Sequence, residues 1–366
     1  VYNYKKLKNN TNQLIPTIGS NPDDGLKIGV SNTYTAYGFE RNPFTSQHTI
    51  SAAYYFATQG FDFNYKGEFA NVIGRTNFGF DVHFNSPNYA VNFFGFGNST
   101  PNPEADENDG FDTGLDYNRV KIRSFRAMPS LIWRGEQGGT FKVGLFFESN
   151  EVEETSGRFI NQFIPNNTEI NDEFYGIETQ YHFENRDNKA FPTLGMQFGL
   201  QVGYINNTSS SKGFAYVLPE LGFDYKLISS GKLVLASGLR AHINIGDDFE
   251  FYQGATLGAN SGLRGYRNER FTGKSAFVQS TDIRWNFMDL KTGVLPISIG
   301  VFGGADYGRV WIEDNLVDDT SFNKNDWNTS FGGGFFVNIA KMMNAKVSAF
   351  NSSDGLRLAF KLGFGF

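Results

Sequence analysis

The sequence predicts an all-β fold, namely a 16-stranded antiparallel transmembrane β-barrel, and three observations support this prediction. Apolar and polar residues alternate over long segments, and short and long connections alternate between those segments. The chain also contains 39 Phe and 17 Tyr, although its mean hydropathy is only −0.37. A membrane-spanning strand has this property, because its lumen-facing residues offset its lipid-facing ones in any hydropathy average.

The alternation is clearest in segments 76–85, 193–204 and 355–366. Because successive side chains of a strand point to opposite faces, each of these segments has one apolar and often aromatic face. A soluble sandwich or propeller would also alternate, and it is the alternative fold. It is disfavoured because water would then wet the aromatic faces.

Sixteen segments have this pattern, and most span about 9–13 residues, the length of a tilted strand that crosses a bilayer. They are 26–35, 48–57, 60–70, 76–85, 89–97, 119–133, 139–149, 174–185, 193–205, 213–226, 233–245, 275–287, 296–308, 328–338, 344–350 and 355–366. Residues 1–25 contain the polar stretches "NNTNQ" and "NPDDG". We expect residues 1–25 to be a periplasmic lead-in, and residues 26–366 to form the barrel.

The connections differ in length in the way that is typical of outer-membrane barrels, with short periplasmic turns and long extracellular loops. The short connections include 58–59, 86–88, 134–138 and 227–232, and the long ones include 36–47, 98–118, 150–173, 246–274 and 309–327. An even strand number predicts that both termini are periplasmic and that 26–35 pairs with 355–366 to close the barrel. Gly355, Gly363 and Gly365 predict a weak closing pair, which a cross-link such as Ser31 to Ala359 would lock.

The composition excludes several classes of protein. Lys and Arg number 32 against 38 Asp and Glu, which gives no electrostatic footprint for nucleic acid. The chain has no cysteine, so disulfide frameworks, thiolate zinc sites and cysteine nucleophiles are excluded. The sequence contains no run of 18 or more apolar residues, and so it predicts no membrane-spanning helix.

The sequence contains no recognisable catalytic or metal-binding pattern. The stretch "GANSG" at 258–262 lacks the spacing of a nucleophile elbow, and the four histidines are far apart. The acidic stretch "PEADENDGFDTGLD" at 103–116 has Ala105 at the first ligand position of a calcium loop. We therefore expect no enzymatic activity, no cofactor and no metal site.

One loop motif stands out, Arg264-Gly265-Tyr266 in the long connection 246–274. Alternation predicts that Asp282 on one following strand and Asp306 on the next point into the lumen, where a loop that folds inward would bring Arg264 to them. An arginine offers a planar fork to carboxylates, and a confined site needs that pairing. A glycine lets the tip turn, and a tyrosine ring can pack against the wall. An ordinary surface turn is the alternative interpretation of the tripeptide.

This motif resembles the Omp85 superfamily of sixteen-stranded barrels, which includes outer-membrane assembly and translocation proteins and bacterial surface antigens. In that family an Arg-Gly-Phe/Tyr tip of the loop between strands 11 and 12 folds into the lumen, and its arginine meets acidic residues. Two further elements are similar: Phe302, Asp306 and Gly308 in "FGGADYG", and Asp282-Ile283-Arg284, where many members have Glu at the first position. The resemblance is specific over residues 254–308.

The end of the chain resembles the C-terminal signal by which outer-membrane barrels are recognised for assembly. Apolar residues alternate to the last position, and the signal consists of Phe360, Leu362, Phe364 and Phe366. Many bacterial barrels share this ending, so it indicates the bacterial outer membrane rather than a family.

The resemblance implies insertion or translocation of polypeptides at the outer membrane, with membrane lipid and client polypeptides as partners. Upstream or associated periplasmic domains are further expected partners. Two alternatives stay open: a barrel that anchors or exports a lipase- or phosphoesterase-like enzyme, and a passive diffusion channel.

Overall fold

The computed structural model describes residues 9–38, 44–103, 114–153, 156–162, 170–293, 295–313, 322 and 325–364. Sixteen strands form a closed antiparallel barrel, as predicted, and each strand pairs with the next along the chain. The strands are β1 (Thr11–Asn21), β2 (Gly25–Ala36), β3 (Ser46–Tyr55), β4 (Gly60–Ile73), β5 (Thr76–Asn85), β6 (Arg119–Arg134), β7 (Gly139–Val152), β8 (Ile170–Glu184), β9 (Gly195–Asn207), β10 (Gly213–Lys226), β11 (Leu233–Ile245), β12 (Ser275–Lys291), β13 (Pro296–Trp311), β14 (Asn328–Ile339), β15 (Met343–Ser352) and β16 (Gly355–Phe364). Pairing of β1 with β16 closes the ring.

Small elements lie in the connections. Three short strands are Ala90–Asn92, Ala255–Leu257 and Phe271–Gly273, and three 3₁₀ helices are Leu115–Asn118, Phe159–Gln162 and Phe251–Gln253. Within the described ranges, no helix combines the length and the apolarity needed to cross a membrane.

The two faces of the barrel wall have opposite character. On β12, Ile283 and Trp285 are 51% and 52% exposed, whereas Arg284 between them is 3% exposed. On β14, Phe335 is 66% exposed and Ser330 is buried. The outer face is therefore apolar and the inner face polar, which is the inverse of a soluble protein and is typical of a membrane barrel.

The first strand was not predicted. The expected lead-in of residues 1–25 contains β1, which pairs with β2 along eleven positions, from Thr11 opposite Thr35 to Asn21 opposite Gly25. The prediction that strand 26–35 closes the barrel with 355–366 was therefore wrong, because β1 lies between them. Pro16 obscured β1 in the sequence, because proline is suited only to strand edges. In the structure Pro16 is at such an edge: among the described residues it has a register partner on β2 and none on β16.

The prediction of a strand at 89–97 was also wrong. Because one strand was missed and one was predicted in excess, the predicted number of sixteen is still correct. Only Ala90–Asn92 forms a ladder, with Arg119–Lys121. Phe93 and Phe94 are both buried, so this segment has no lipid-facing side. As a result, one long connection joins β5 to β6. The β2–β3 connection lies at the same end as the turns 134–138 and 227–232, and the turn 58–59 lies at the end of the long loops, both opposite to the prediction.

Candidate functional site: a loop held by three arginines, and the closing seam

The connection between β11 and β12, residues 246–274, has its own small scaffold. The strands Ala255–Leu257 and Phe271–Gly273 pair as a hairpin. Within the tip that this hairpin carries, the Leu263 N–H donates to the Gly258 carbonyl (2.9 Å) and the Tyr266 N–H donates to the Leu263 carbonyl (3.1 Å). Leu263 is fully buried against the inward-facing Val278 and Val310. We call residues 246–274 the arginine loop.

Arg264 reaches both predicted carboxylates. Its Nη2 lies 2.6 Å from Asp306 Oδ1, its Nε donates to the same carboxylate at 3.0 Å, and its backbone N–H donates to Asp306 Oδ2 at 3.0 Å. Its Nη1 lies 2.7 Å from Asp282 Oδ1, an ion pair without the alignment of a hydrogen bond. The Asp306 side chain is completely buried and also accepts from the Ser330 hydroxyl (2.8 Å), and the guanidinium lies 4.1 Å from the Phe350 ring. A buried carboxylate with this many charge-assisted donors is strongly held.

Gly265 and Tyr266 fix the tip to the wall in a way that differs from the prediction for glycine. The φ angle of Gly265 is not in the left-handed region. A Cβ at this position would instead lie 2.7 Å from the Ser330 Cβ, so glycine is required for close approach. Tyr266 is 2% exposed, and its hydroxyl donates to the Thr329 carbonyl (3.2 Å).

Gly304 is a site residue that the sequence analysis missed. It lies directly opposite Asp282 in the β12–β13 register. A Cβ here would collide with Asp282 Oδ1 and lie 2.6 Å from Arg264 Nη2. Gly308, four residues further along β13 on the same face, also leaves room for the arginine loop, since a Cβ there would lie 3.1 Å from Leu257.

Arg284 and Phe302 share the inner face with Asp282 but belong to a different cluster. Arg284 pairs with Asp224, and its Nη2 donates to the Pro192 carbonyl at 2.8 Å. Phe302 packs in an inner aromatic cluster, whose members are Phe191, Phe302, Phe336 and Phe350. The structure therefore does not bring Arg284 to the Arg264 site.

Two further arginines of the arginine loop were missed, although they follow Arg264 at three-residue spacing. Arg267 Nε donates to Asp23 Oδ1 at 2.7 Å, and Arg270 Nε donates to Asp354 Oδ2 at 2.6 Å. Asp23 lies in the β1–β2 turn and Asp354 in the β15–β16 turn. The stretch "RGYRNER" carries this signal in its arginine periodicity.

The Asp23 carboxylate connects four parts of the chain. Besides Arg267, it accepts from Arg357 Nη2 of β16 (2.9 Å), from the Asn92 amide (2.9 Å) and from the Asn268 backbone N–H (3.0 Å). Burial alone would raise the pKa of Asp23, but the Arg267 and Arg357 guanidinium groups hold this pKa below its ordinary value. Asp23 is therefore an ionised clamp at the end of β1; we call Asp23, Arg267 and Arg357 the Asp23 clamp.

Beside this clamp, Glu269 of the arginine loop has the opposite electrostatics. It accepts from the Asn92 backbone N–H at 3.2 Å and from the Asn260 amide. Burial and the negative charges of Asp23 and Asp24 raise the pKa of Glu269 to about 7, although the hydrogen bond from Asn92 works against them.

The closing seam, β1 with β16, is the shortest pairing of the described wall. It contains three register positions: Ile18 with Leu362, Gly19 with Lys361, and Ser20 with Phe360. The other neighbouring strands of the described wall pair at nine to sixteen positions. At the end of β1, the Asp23 clamp therefore adds side-chain contacts to a short backbone ladder.

Of the residues predicted as an assembly signal, Phe360 and Leu362 lie at this seam. Phe364 ends β16, opposite Met343, and Phe366 lies outside the described residues. Of the acidic stretch 103–116, positions 104–113 are also outside them. Where the chain is described, no group of three or more His, Asp or Glu side chains has a metal-binding arrangement.

Comparisons with known proteins identify the fold. No family model matches the sequence, and no curated protein matches it. The barrel is similar to BamA from Haemophilus ducreyi lacking POTRA domains 1–3, with a TM-score of 0.68 at 14% identity, over 98% of this chain and 71% of that one. It is also similar to CdiB from Escherichia coli, with a TM-score of 0.61 at 10% identity, over 96% of this chain and 63% of that one. The predicted resemblance is thus confirmed at the level of the barrel fold.

Proposed function

We propose that this chain is a bacterial outer-membrane barrel that inserts or translocates polypeptides. The observation that carries the proposal is the closing seam with its three register positions. Unpaired backbone groups are costly in hydrocarbon, so a seam with few hydrogen bonds can exchange its own pairing for an incoming strand. Membrane lipid and client polypeptides are the partners that this mechanism requires.

The arginine loop supports the same function if it occupies the lumen, as we infer from its contacts. It meets inward-facing Asp306 on β13, Asp23 in the β1–β2 turn and Asp354 in the β15–β16 turn. A segment that contacts the inner face of β13 and the turns after β1 and β15 is expected to lie on the inner side of this part of the wall. A filled lumen disfavours the passive diffusion channel, and the loop motif is the element that resembles Omp85 proteins.

The test is a reversible lock across the seam. Ser20 and Phe360 are directly opposite each other, and opposed residues of an antiparallel pair have the Cα separation that a disulfide needs. The cross-link from Ser31 that the sequence suggested is not suitable, because Ser31 pairs with Ile15 and Ser51. The chain has no cysteine, so the double variant Ser20→Cys/Phe360→Cys has no competing thiol.

The measurement is the folding of an unfolded eight-stranded barrel client into proteoliposomes that contain this protein, followed by protease protection. The oxidised double variant should lose the acceleration of client folding, and reduction should restore it. The matched control is Val347→Cys/Phe360→Cys, which shares one cysteine but locks β15 to β16, a pair with ten register positions. If the oxidised seam variant accelerates client folding as much as the oxidised control, the proposed function is wrong.

A further inference from the structure

Three lysines form one line across the closing seam. In the register, Lys346 of β15 is directly opposite Lys361 of β16, Lys361 is opposite Gly19 of β1, and Gly19 is opposite Lys27 of β2. Residues that are directly opposite each other share a face of the sheet. The line therefore runs Lys346, Lys361, Gly19, Lys27 on a single face of four adjacent strands.

This face is the inner one. Lys346 Nζ lies 6.0 Å from the centre of the Phe302 ring, which belongs to the inner aromatic cluster. Lys27 Nζ donates to the Tyr55 hydroxyl (2.6 Å), which lies opposite it on β3. The neighbouring outer positions are the apolar Ile18 and Leu362.

The line is electrostatically unfavourable without a ligand. Like charges directly opposite each other on neighbouring strands destabilise a sheet. The charged groups that act on Lys346 include the cations Lys361, Arg264 and Arg284 and one carboxylate, Asp282. Among the described residues, Lys361 takes part in none of the ion pairs of the barrel wall. A bound anion would offset this repulsion.

The structure also provides space. A cavity of about 550 Å³ is lined by all three lysines together with Arg264 and Arg357, and Asp24 is the one carboxylate among its described lining residues. Among the described residues, an added Cβ at Gly19 would lie within 4 Å of the Phe360 carbonyl alone, at 3.6 Å. Strands are about 4.8 Å apart, so the absence of a side chain at Gly19 leaves a gap between Lys361 and Lys27 into which both flexible ammonium groups can turn.

We propose that this cavity is an anion site that binds a phosphate-bearing molecule at the inner side of the seam, with Lys346, Lys361 and Lys27 as its ligands. Lysine binds phosphate as a point charge through up to three donors, and three such groups around one gap suit a multiply charged oxyanion. The phosphate group comes from a free anion or from a lipid headgroup that enters through the seam. The site does not depend on the proposed transport function.

The experiment is a calorimetric titration of the whole chain, in neutral detergent at low ionic strength, with inorganic pyrophosphate as the probe. We expect saturable binding by the wild type and a rise in its melting temperature. Lys361→Gln and Lys346→Gln should each weaken binding by about tenfold or more, since each removes a hydrogen bond between charged groups. Lys361→Gln should also melt no lower than the wild type without pyrophosphate, because it removes the repulsion; this distinguishes lost binding from lost folding.

The matched control is Lys66→Gln, a strand lysine placed opposite Asp81 on β5, away from the seam. It should bind pyrophosphate as the wild type does. The absence of saturable binding by the wild type, or equal weakening by Lys66→Gln and Lys361→Gln, would overturn the proposal.

The two sources of phosphate are distinguished in nanodiscs of phosphatidylcholine with and without phosphatidylglycerol. A lipid headgroup is supported as the source if phosphatidylglycerol raises the melting temperature in a Lys361-dependent way and weakens pyrophosphate binding. Equal pyrophosphate binding in both discs supports the free anion.

Discussion

The β12–β13 wall and the β1–β16 seam are held in different ways, although the same loop contacts both. β12 and β13 pair at sixteen register positions, with one irregularity between Asn286 and Met288. The seam, where it is described, pairs at three positions. At the wall, Arg264 adds an ion pair to an already complete ladder, whereas at the seam the Asp23 clamp stands where the ladder ends.

The difference lies in how many backbone hydrogen bonds hold each side of the barrel together. Backbone hydrogen bonds of a strand pair form together and separate together, so the wall opens only at a large cost. The described part of the seam has three register positions, so its separation breaks fewer backbone hydrogen bonds together with the ion pairs of Asp23 with Arg267 and Arg357. The three arginines of the loop therefore fix its tip to the wall and fasten the seam side to it.

The largest expected effect comes from breaking the attachment to the wall. Arg264→Ala leaves the buried Asp306 and the nearby Asp282 without their cationic partner, and removing one member of a buried ion pair costs about 3–5 kcal/mol. Urea unfolding in detergent micelles measures this loss. Arg264→Lys should recover only part of it, because an ammonium group lacks the planar fork. An unfolding free energy unchanged by Arg264→Ala would show that the contact contributes nothing to stability.

A smaller effect is expected from crowding the same attachment. Gly304→Ala places a methyl group against Asp282 and Arg264, and such overpacking costs about 1–3 kcal/mol. The adjacent Gly303→Ala is the control, because its nearest described heavy atom would be the Gly332 carbonyl oxygen at 3.8 Å. The same urea titration should separate the two variants. Equal destabilisation by both would mean that strand propensity, and not the ion pair, determines the loss.

How far the sequence predicts these features depends on how local each signal is. Alternation in β12 and β13 places Asp282 and Asp306 on the inner face, and this parity, together with the resemblance of the loop motif, predicted a contact of Arg264 with Asp282 or Asp306. Pro16 concealed β1, because a proline is tolerated in a strand only where one side lacks a neighbouring strand, and the sequence does not show which side that is. Phe93 and Phe94 were mistaken for part of a strand, because a buried aromatic pair under a loop resembles a lipid-facing one.

The remaining site residues depend on the fold in three dimensions. Asp23 and Asp354 are ordinary turn residues in the sequence, and only closure of the ring brings them to Arg267 and Arg270. Gly304 could be recognised only from the β12–β13 register, since a neighbouring glycine, Gly303, has no comparable constraint.

The third expected effect distinguishes the two regions by their response to pH. The folded-state pKa of Glu269 is about 7, above its unfolded value near 4.3. The stability of the seam region should therefore be greatest when Glu269 is protonated and should fall as the pH rises from about 4.3 to 7. Asp23 has a lowered pKa, so its contribution is complete above about 3.9 and is lost as the pH falls through its folded-state pKa.

Amide hydrogen exchange between pH 5 and 8, corrected for the intrinsic rate, measures this response. Protection of β1 and β16 should decrease with rising pH, and that of β12 and β13 should not. Glu269→Gln should remove the dependence. If the pH dependence of protection persists in Glu269→Gln, another titrating group causes it.

The Asp23 clamp also bears on the order in which the barrel can form. Asp23 and Arg357 are 334 residues apart in the chain, so their contact closes a loop that contains most of this sequence. Bringing such distant ends together has a high entropic cost before any contact rewards it. The neighbouring hairpins can assemble earlier, one beside the next, and ring closure is then the last event. A nascent chain that lacks β16 would have the loop arginines in place but no partner strand for β1, and its exposed edge would remain open to whatever strand is nearest.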